Sequence, residues 1–441
     1  MGFHLEQAYL ALAQLAPTDA RNETLASQAA VPLASAGRRA FDRGDMPAAV
    51  NLLTRAVSLY RHDDRARIEL LPDLAFALLE TGEFTKLQTV VAETVEAARG
   101  SSEPSLQAHA LILGLWTRVS TDPEGWAQEG YQQARQAISL FERERDERGL
   151  AKSWSLLGLV QLYTCRFSSS EEAWEQAATY ARAADNQREE LEYLSWVPLA
   201  VWGGPTTVVR AIDRCNAILE RAADDRKSMS TALFTLGKLE AMRGRFGEGR
   251  DLIAKARSAL EEVASPVWMA GPLTQMAGWV ELLAGDPPAA ERHLRWGVET
   301  LKEIGELSWL STVEAILAEA LYAQGRFDEA EAFLRMSEET AGSEDVYSQT
   351  LLRSIGAKTL ARKGNTQEAT RLGHSAVRGA ARTDSPFLRA FALTSLGEVL
   401  LVAGSPDEAR SSLAEAVTLC EQKGFAPGAE AARRLLLKSK A

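Results

Sequence analysis

Gly404-Ser-Pro-Asp-Glu-Ala409 is one copy of a pattern that returns along the chain at intervals of about 40 residues. The other copies begin at Gly44, Gly82, Gly244, Gly285, Gly325 and Gly364. The residues before Gly404 are apolar at helical spacing, and glycine ends a helix readily because it has no Cβ to clash in the left-handed conformation. Ser405, Pro406 and Glu408 then suit the N-cap, the first helical position and a capping box. The pattern predicts a repeated hairpin of two helices.

Two further positions hold small residues in most of the repeats. Seven residues before the turn residue, the chain has Gly37, Ala75, Gly114, Gly158, Gly237, Gly278, Ala318, Ala357 and Gly397. Five residues after it come Ala49, Ser170, Gly249, Ala290, Ala330, Ala369 and Ala409. Small residues at both positions allow two helices to approach closely, and a bulky side chain there would overpack the contact at a cost of about 1–3 kcal/mol. Such hairpins cannot bury their own apolar faces, so they must stack on their neighbours.

This register predicts an all-α fold of ten hairpins. Their turns are expected near residues 44, 82, 122, 165, 203, 244, 285, 325, 364 and 404. Residues 1–26 are predicted to form an N-terminal helix and linker, residues 27–425 the hairpins, and residues 426–441 a capping helix. Cys165 replaces the turn glycine of the fourth hairpin, and Trp196 replaces the small residue of the fifth. The fifth hairpin is therefore the most degenerate.

The repeat resembles the tetratricopeptide repeat (TPR). Trp154-Ser-Leu-Leu157-Gly158 matches the opening of that family's pattern, and Ala330-x₃-Leu334 and Ala409-x₃-Leu413 match its second half with Leu for Phe. The period differs from the family's value of about 34, and the closing proline is missing, which implies longer helices and a different superhelical pitch. The resemblance implies a TPR-like α-solenoid, a right-handed superhelix that presents surfaces for binding.

Composition excludes several classes of partner. The chain has 60 acidic and 49 basic residues, a net charge of −11, whereas a nucleic-acid surface needs clustered Lys and Arg. No apolar stretch is long enough to span a membrane and no secretion signal is visible at the N-terminus. Cys165, Cys215 and Cys420 are odd in number and far apart, which favours a reducing compartment. We therefore expect a cytoplasmic protein with no nucleic-acid or membrane partner.

The sequence predicts no catalytic, metal-binding or cofactor-binding residue. Gly237-Lys238 lacks the upstream glycine of a phosphate loop, and neither His-Glu-x-x-His nor paired Cys-x-x-Cys occurs. The five histidines lie in separate repeats: His4, His62, His109, His293 and His374. We expect that the chain is not an enzyme.

Tryptophan is distributed unevenly. All ten tryptophans lie between Trp116 and Trp309. Large aromatic side chains anchor binding sites because they bury much area at little entropic cost. In TPR arrays the first helix of each hairpin lines the concave groove, so the predicted groove residues are Trp116, Tyr163, Trp196, Trp202, Phe234 and Trp279. The alternative is that these aromatic residues pack between hairpins.

A narrower resemblance covers roughly the first 80 residues. It rests on Phe3-His-Leu-Glu-Gln-Ala-Tyr9, Ala36-Gly-Arg-Arg-Ala-Phe-Asp-Arg-Gly44 and Leu70-Leu-Pro-Asp-Leu-Ala75. These segments are similar to the junction and first repeats of bacterial signalling proteins in which an AAA/STAND-type ATPase, often fused to a class III adenylate or guanylate cyclase, precedes a C-terminal TPR region. The resemblance implies that residues 1–26 adjoin an upstream ATPase domain.

Two functions follow from these features. The first is a non-catalytic sensor that binds a peptide, a protein or a small effector in its groove and relays occupancy to ATPase or cyclase domains in cis. The second is a stand-alone scaffold or adaptor that mediates protein association or self-assembly, and an oligomer is compatible with either. A ligand response separates the two, because only the sensor is stabilised by a small ligand.

Overall fold

The computed structural model describes residues 2–61, 64–99, 103–222 and 225–439, so His62, Lys440 and Ala441 lie outside it. Throughout these ranges the chain forms helices and connecting turns, and no described residue lies in a strand. The all-α prediction is confirmed. No helix in the described ranges is both long enough and apolar enough to cross a membrane.

The chain divides into two compact units, the first of which comprises residues up to Thr117 together with Val263–Pro266. Its helices are α1 (Gly2–Leu15), α2 (Arg21–Asp42), α3 (Met46–Leu59), α4 (Arg65–Ile68), α5 (Leu71–Glu80) and α6 (Phe84–Arg99), and α7 (Pro104–Thr121) begins in it. Helix α2 continues through Pro32. The Arg55 side chain on α3 donates a hydrogen bond to Glu6 on α1 at 2.9 Å, and this bond ties the first helix to the first hairpin.

The second unit contains Arg118–Glu262 and Val267–Ala441. Its first helices are α8 (Trp126–Glu144), α9 (Glu147–Tyr163), α10 (Phe167–Ala183), α11 (Gln187–Leu194), α12 (Val197–Gly203), α13 (Val208–Arg221), α14 (Arg226–Met242) and α15 (Phe246–Glu262). They are followed by α16 (Pro266–Trp268), a π-helical turn (Met269–Leu273), α17 (Thr274–Ala284), α18 (Pro287–Ile304), α19 (Leu307–Ala323) and α20 (Phe327–Thr340). The last are α21 (Val346–Arg362), α22 (Thr366–Ala380), α23 (Pro386–Val402), α24 (Pro406–Lys423) and α25 (Ala426–Lys438).

The hairpin turns depend on residues in the left-handed region. The seven turn glycines named above have φ between 73° and 87°, where a side chain would be strained. Cys165 adopts a φ of 54° at the same position in the fourth hairpin. Ser405 directly precedes α24, but its hydroxyl forms no capping hydrogen bond, so the predicted capping box is wrong. Ser405 is nevertheless the N-cap residue and Pro406 occupies the first helical position, as predicted.

The small residues lie where the two helices of a hairpin cross. A Cβ atom on Gly37, Gly158, Gly278 or Gly397 would come within 2.5–2.8 Å of the side chain of Leu53, Trp174, Leu294 or Leu413, respectively. Each of these partners lies nine residues after its turn residue, which confirms the predicted close approach. Gly114 is an exception, because its neighbours are Val91 and Val95 of the preceding helix α6, at ordinary contact distances of 3.7–3.8 Å.

Candidate functional site

Aromatic side chains from four first helices of the second unit meet at one place. We call Trp202 on α12, Trp279 on α17, Tyr347 on α21 and Phe387 on α23 the aromatic cluster. The ring of Phe387 lies 5.5 Å from Trp202 and 5.3 Å from Trp279, both nearly edge-on, and Trp202 contacts Tyr347 at 6.2 Å. The Trp279 indole N–H donates a hydrogen bond to the Tyr347 hydroxyl at 3.1 Å. Edge-to-face pairs of this kind add stability beyond the area that they bury.

Lys238 projects from α14 into the aromatic cluster. Its Nζ atom lies 3.2 Å from the Trp202 ring centroid, 4.4 Å from Phe387 and 5.2 Å from Trp279. The residue is 0 % exposed, and its amine has no hydrogen-bond partner in the described part of the chain. Burial, and secondarily the charge of Lys423, holds the pKa of Lys238 well below its usual range. The cluster therefore encloses an amine whose N–H donors are unused.

A second lysine occupies the same position of a later repeat and has partners. Lys238 and Lys358 both lie six residues before a turn glycine, Gly244 or Gly364. The Lys358 amine donates hydrogen bonds to both carboxylate oxygens of Glu319, at 2.6 and 2.7 Å. The same amine lies 4.6 Å from the centroid of the Tyr322 ring. This position of the repeat therefore accommodates a lysine when a carboxylate from the adjacent hairpin faces it.

Glu398 closes the polar network beside Lys358. The Tyr322 hydroxyl donates a hydrogen bond to Glu398 at 2.7 Å, and Arg362 donates to the Tyr322 hydroxyl at 3.1 Å and to Glu398 at 2.6 Å. Burial opposes ionisation, but Lys358 and these two donors together hold the pKa of Glu398 below its usual value. The polar groups around Lys358 are thus mutually satisfied, in contrast to Lys238.

The structure places one predicted groove residue, Trp196, in a different cluster from Trp202 and Trp279. Trp196 stacks on Trp174 with ring centroids 5.2 Å apart and contacts Trp268 edge-on at 4.9 Å. Its indole N–H donates a hydrogen bond to Glu192 at 3.3 Å. Trp174 belongs to α10, the second helix of the fourth hairpin, so its contact with Trp196 packs that hairpin against the fifth.

The other predicted groove residues are Phe234, Tyr163 and Trp116. Phe234 is fully buried on α14, one helical turn before Lys238. Tyr163, at the end of α9, is half-buried and contacts Trp126 edge-on at 5.3 Å. Burial, and secondarily the Asp345 carboxylate, raises the pKa of Tyr163. Trp116 is half-buried on α7 and belongs to the first unit.

Sequence reasoning missed three members of this site: Lys238, Tyr347 and Phe387. A signal was present for each. Lys238 takes the repeat position that Trp279 holds in the next hairpin, six residues before the turn glycine. Tyr347 and Phe387 both lie 17 residues before theirs, Gly364 and Gly404. These shared repeat positions indicate that all three residues lie near the predicted groove residues. The phosphate-loop pattern, which Gly237-Lys238 does not complete, gives no such indication.

The described residues show no metal-binding cluster and no exposed thiol. Within them, no group of three or more His, Cys, Asp or Glu side chains is arranged to hold a metal ion. Cys165, Cys215 and Cys420 are buried free thiols. Burial raises the pKa of each thiol, to about 12 for Cys420. A buried thiol with a raised pKa is a poor nucleophile.

The repeats match a known family. The sequence profile of the tetratricopeptide repeat matches residues 276–296, 313–336 and 390–422. The chain contains tetratricopeptide repeats in these segments. Its hairpins extend the same register to the repeats that the profile does not match, and the shared turn and crossing glycines described above support that extension. No curated protein matches the chain significantly in sequence.

Several solved structures resemble the TPR array at low identity. A Rap protein complexed with competence and sporulation factor is 12 % identical with a TM-score of 0.50, covering 85 % of this chain and 97 % of that one. The apo form of the quorum sensor NprR from B. thuringiensis is 11 % identical, with a TM-score of 0.47 and coverages of 80 % and 98 %. A signal transduction ATPase with numerous domains (STAND) and a TPR sensor, from Pyrococcus horikoshii, is 14 % identical with a TM-score of 0.40. That match covers 82 % of this chain and 54 % of the ATPase, so the TPR array spans about half of it.

Proposed function

We propose that this TPR array is a non-catalytic binding module. It binds a peptide, a protein or a small effector at a surface centred on the aromatic cluster of its second unit. The observation that carries the proposal is the aromatic cluster around Lys238, which combines large anchoring side chains with an amine that lacks a partner. A similar fold, that of the Rap protein, has been solved in complex with competence and sporulation factor.

Trp202 and Trp279 form the centre of the proposed surface, because both contact Phe387 and surround Lys238. Three other predicted groove residues of the second unit remain part of the proposal as flanking positions: Tyr163, Trp196 and Phe234. Trp116, on α7 of the first unit, remains a separate prediction. We further propose that occupancy is relayed in cis to ATPase or cyclase domains in the cytoplasm of a bacterium. This relay rests on the resemblance of the first 80 residues described above.

The proposal predicts that Trp279→Ala weakens ligand binding by about thirtyfold or more, the effect of losing a central aromatic anchor. Peptides enriched from a random-sequence library on the wild-type protein would serve as probes, with affinity measured by calorimetry. The matched control is Phe141→Ala, which removes an equally buried aromatic side chain that belongs neither to the aromatic cluster nor to the flanking positions. Its affinity for the same peptides should stay within about twofold of the wild-type value.

Circular dichroism of both variants checks that the helices persist. Equal loss of binding in Trp279→Ala and Phe141→Ala would show that binding depends on stability alone, against the proposed surface. If no peptide is enriched and light scattering shows mass rising with protein concentration, the scaffold function is favoured instead.

A further inference from the structure

Three successive segments of the second unit lie against helix ends far earlier in the chain. Glu344 follows α20 and contacts the start of α8, 217 residues before it. Asp384 follows α22 and contacts the start of α10 at the same separation. Lys423 ends α24 and contacts Gly204 at the end of α12, 219 residues before it. We call these three contacts the seam.

The two acidic side chains of the seam cap helix N-termini. Glu344 accepts hydrogen bonds from the backbone N–H groups of Ala127 at 2.9 Å and Gln128 at 3.1 Å. Asp384 accepts from the backbone N–H groups of Phe167 and Ser168, both at 2.8 Å. The first N–H groups of a helix have no partner within the helix and carry partial positive charge, so a carboxylate stabilises them.

The basic side chain of the seam meets the opposite kind of helix end. The Lys423 amine donates hydrogen bonds to the backbone carbonyl oxygens of Val201 at 3.2 Å, Gly204 at 2.6 Å and Thr206 at 2.6 Å. These carbonyls lie at and beyond the C-terminal end of α12, where partial negative charge favours a cation. Each seam contact thus pairs a charged side chain with a helix end of complementary charge.

The seam lies directly beside the aromatic cluster. Trp202 lies between Val201 and Gly204, whose carbonyls both accept hydrogen bonds from Lys423. Phe387 follows Asp384 by three residues and so lies on the other side of the seam from Trp202. With the seam formed, Trp202 and Trp279 are each 3 % exposed and Phe387 is 1 % exposed. Separating the two sides of the seam would therefore separate Trp202 from Phe387.

We propose that the seam is an autoinhibitory latch. It keeps the aromatic cluster buried and must open before a ligand can reach the cluster. This inference rests on the proposed function, because it assigns a regulatory step to the same surface. Water can replace the hydrogen bonds of the seam when it opens, since the groups released are backbone N–H and C=O groups at helix ends. The close packing within each hairpin is apolar and remains intact.

The test removes one capping carboxylate and follows the exposure of Cys165. This thiol is 0 % exposed, and the Cys165 carbonyl accepts a hydrogen bond from the Asp384 backbone N–H at 3.4 Å. We expect Asp384→Ala to raise the rate at which iodoacetamide alkylates Cys165 in the folded protein by about tenfold, as measured by peptide-resolved mass spectrometry.

The matched control is Asp286→Ala. Asp286 also caps a helix N-terminus, but it does so locally, accepting from the Ala289 backbone N–H at 3.0 Å within the same repeat. Its loss should destabilise the protein similarly while leaving the Cys165 rate within about twofold of the wild-type rate. Hydrogen exchange in α14 monitors global unfolding and should be alike in both variants.

Equal Cys165 rates in the two variants would overturn the latch. This experiment needs no ligand, so its result does not depend on the proposed function. If the latch and the binding surface are both correct, Asp384→Ala should also bind the enriched peptides more tightly, because more molecules are open. Faster alkylation without any peptide binding would retain the opening but reject the surface.

Discussion

Lys358→Met is expected to lower the free energy of unfolding by about 3 kcal/mol, whereas Lys238→Met is expected to raise it by about 1–3 kcal/mol. Loss of Lys358 leaves Glu319, which it binds through both oxygens, without that cation at a largely buried site. Loss of Lys238 instead removes a buried amine that has no hydrogen-bond partner in the described chain. Methionine nearly preserves the side-chain volume in both variants. Urea denaturation at about pH 7 measures both effects.

The stability gain of Lys238→Met should depend on pH, and a change in packing alone would not produce this dependence. Burial lowers the pKa of Lys238 from its usual value of 10.5. Below about pH 10.5 the unfolded chain therefore binds a proton that the folded chain does not, and the wild type loses stability as the pH falls. The advantage of Lys238→Met should be smallest near pH 10.5 and increase as the pH falls towards the lowered pKa of the folded amine. A stability gain that is independent of pH would contradict an unprotonated Lys238 amine in the folded chain. Equal destabilisation by Lys238→Met and Lys358→Met would contradict it as well.

The fold could be predicted from sequence because its determinants are local. The turn glycine at 404 and the crossing pair Gly397 and Leu413 lie within one hairpin, so their spacing alone specifies the contact. Two of the local predictions were wrong. Ser405 makes no capping bond beside Pro406, and Gly114 faces the helix before it rather than the one after.

The site could be predicted only in part. Trp202 and Trp279 were selected because repeat position determines which face of a helix a side chain occupies. Their contacts with Phe387 could not be predicted, because these contacts depend on which distant hairpin lies opposite the hairpins of Trp202 and Trp279. That arrangement follows from small rotations accumulated over several repeats, and these are set by packing rather than by any one motif. The seam, with partners 217 residues apart, was missed for the same reason.

The crossing glycines provide the second large effect. Gly278→Leu is expected to destabilise the protein by about 3 kcal/mol, at the upper end of the cost of overpacking. A Cβ atom on Gly278 would lie 2.8–3.0 Å from three side-chain atoms of Leu294, so the helices α17 and α18 would have to move apart. Because hairpins stabilise one another by stacking, the disturbance should spread to the adjacent repeats and reduce the cooperativity of unfolding.

Gly247→Leu is the matched control for this substitution. Gly247 is exposed in the first turn of α15, and a Cβ atom there would meet no atom within 4 Å. The same change should be neutral or stabilise the helix by up to about 1 kcal/mol, since leucine has the higher helix propensity. Thermal and urea denaturation of the two variants would measure the contrast. A Gly278→Leu protein as stable as Gly247→Leu would mean that the two helices do not cross at Gly278, and the repeat register on which the aromatic cluster depends would be incorrect.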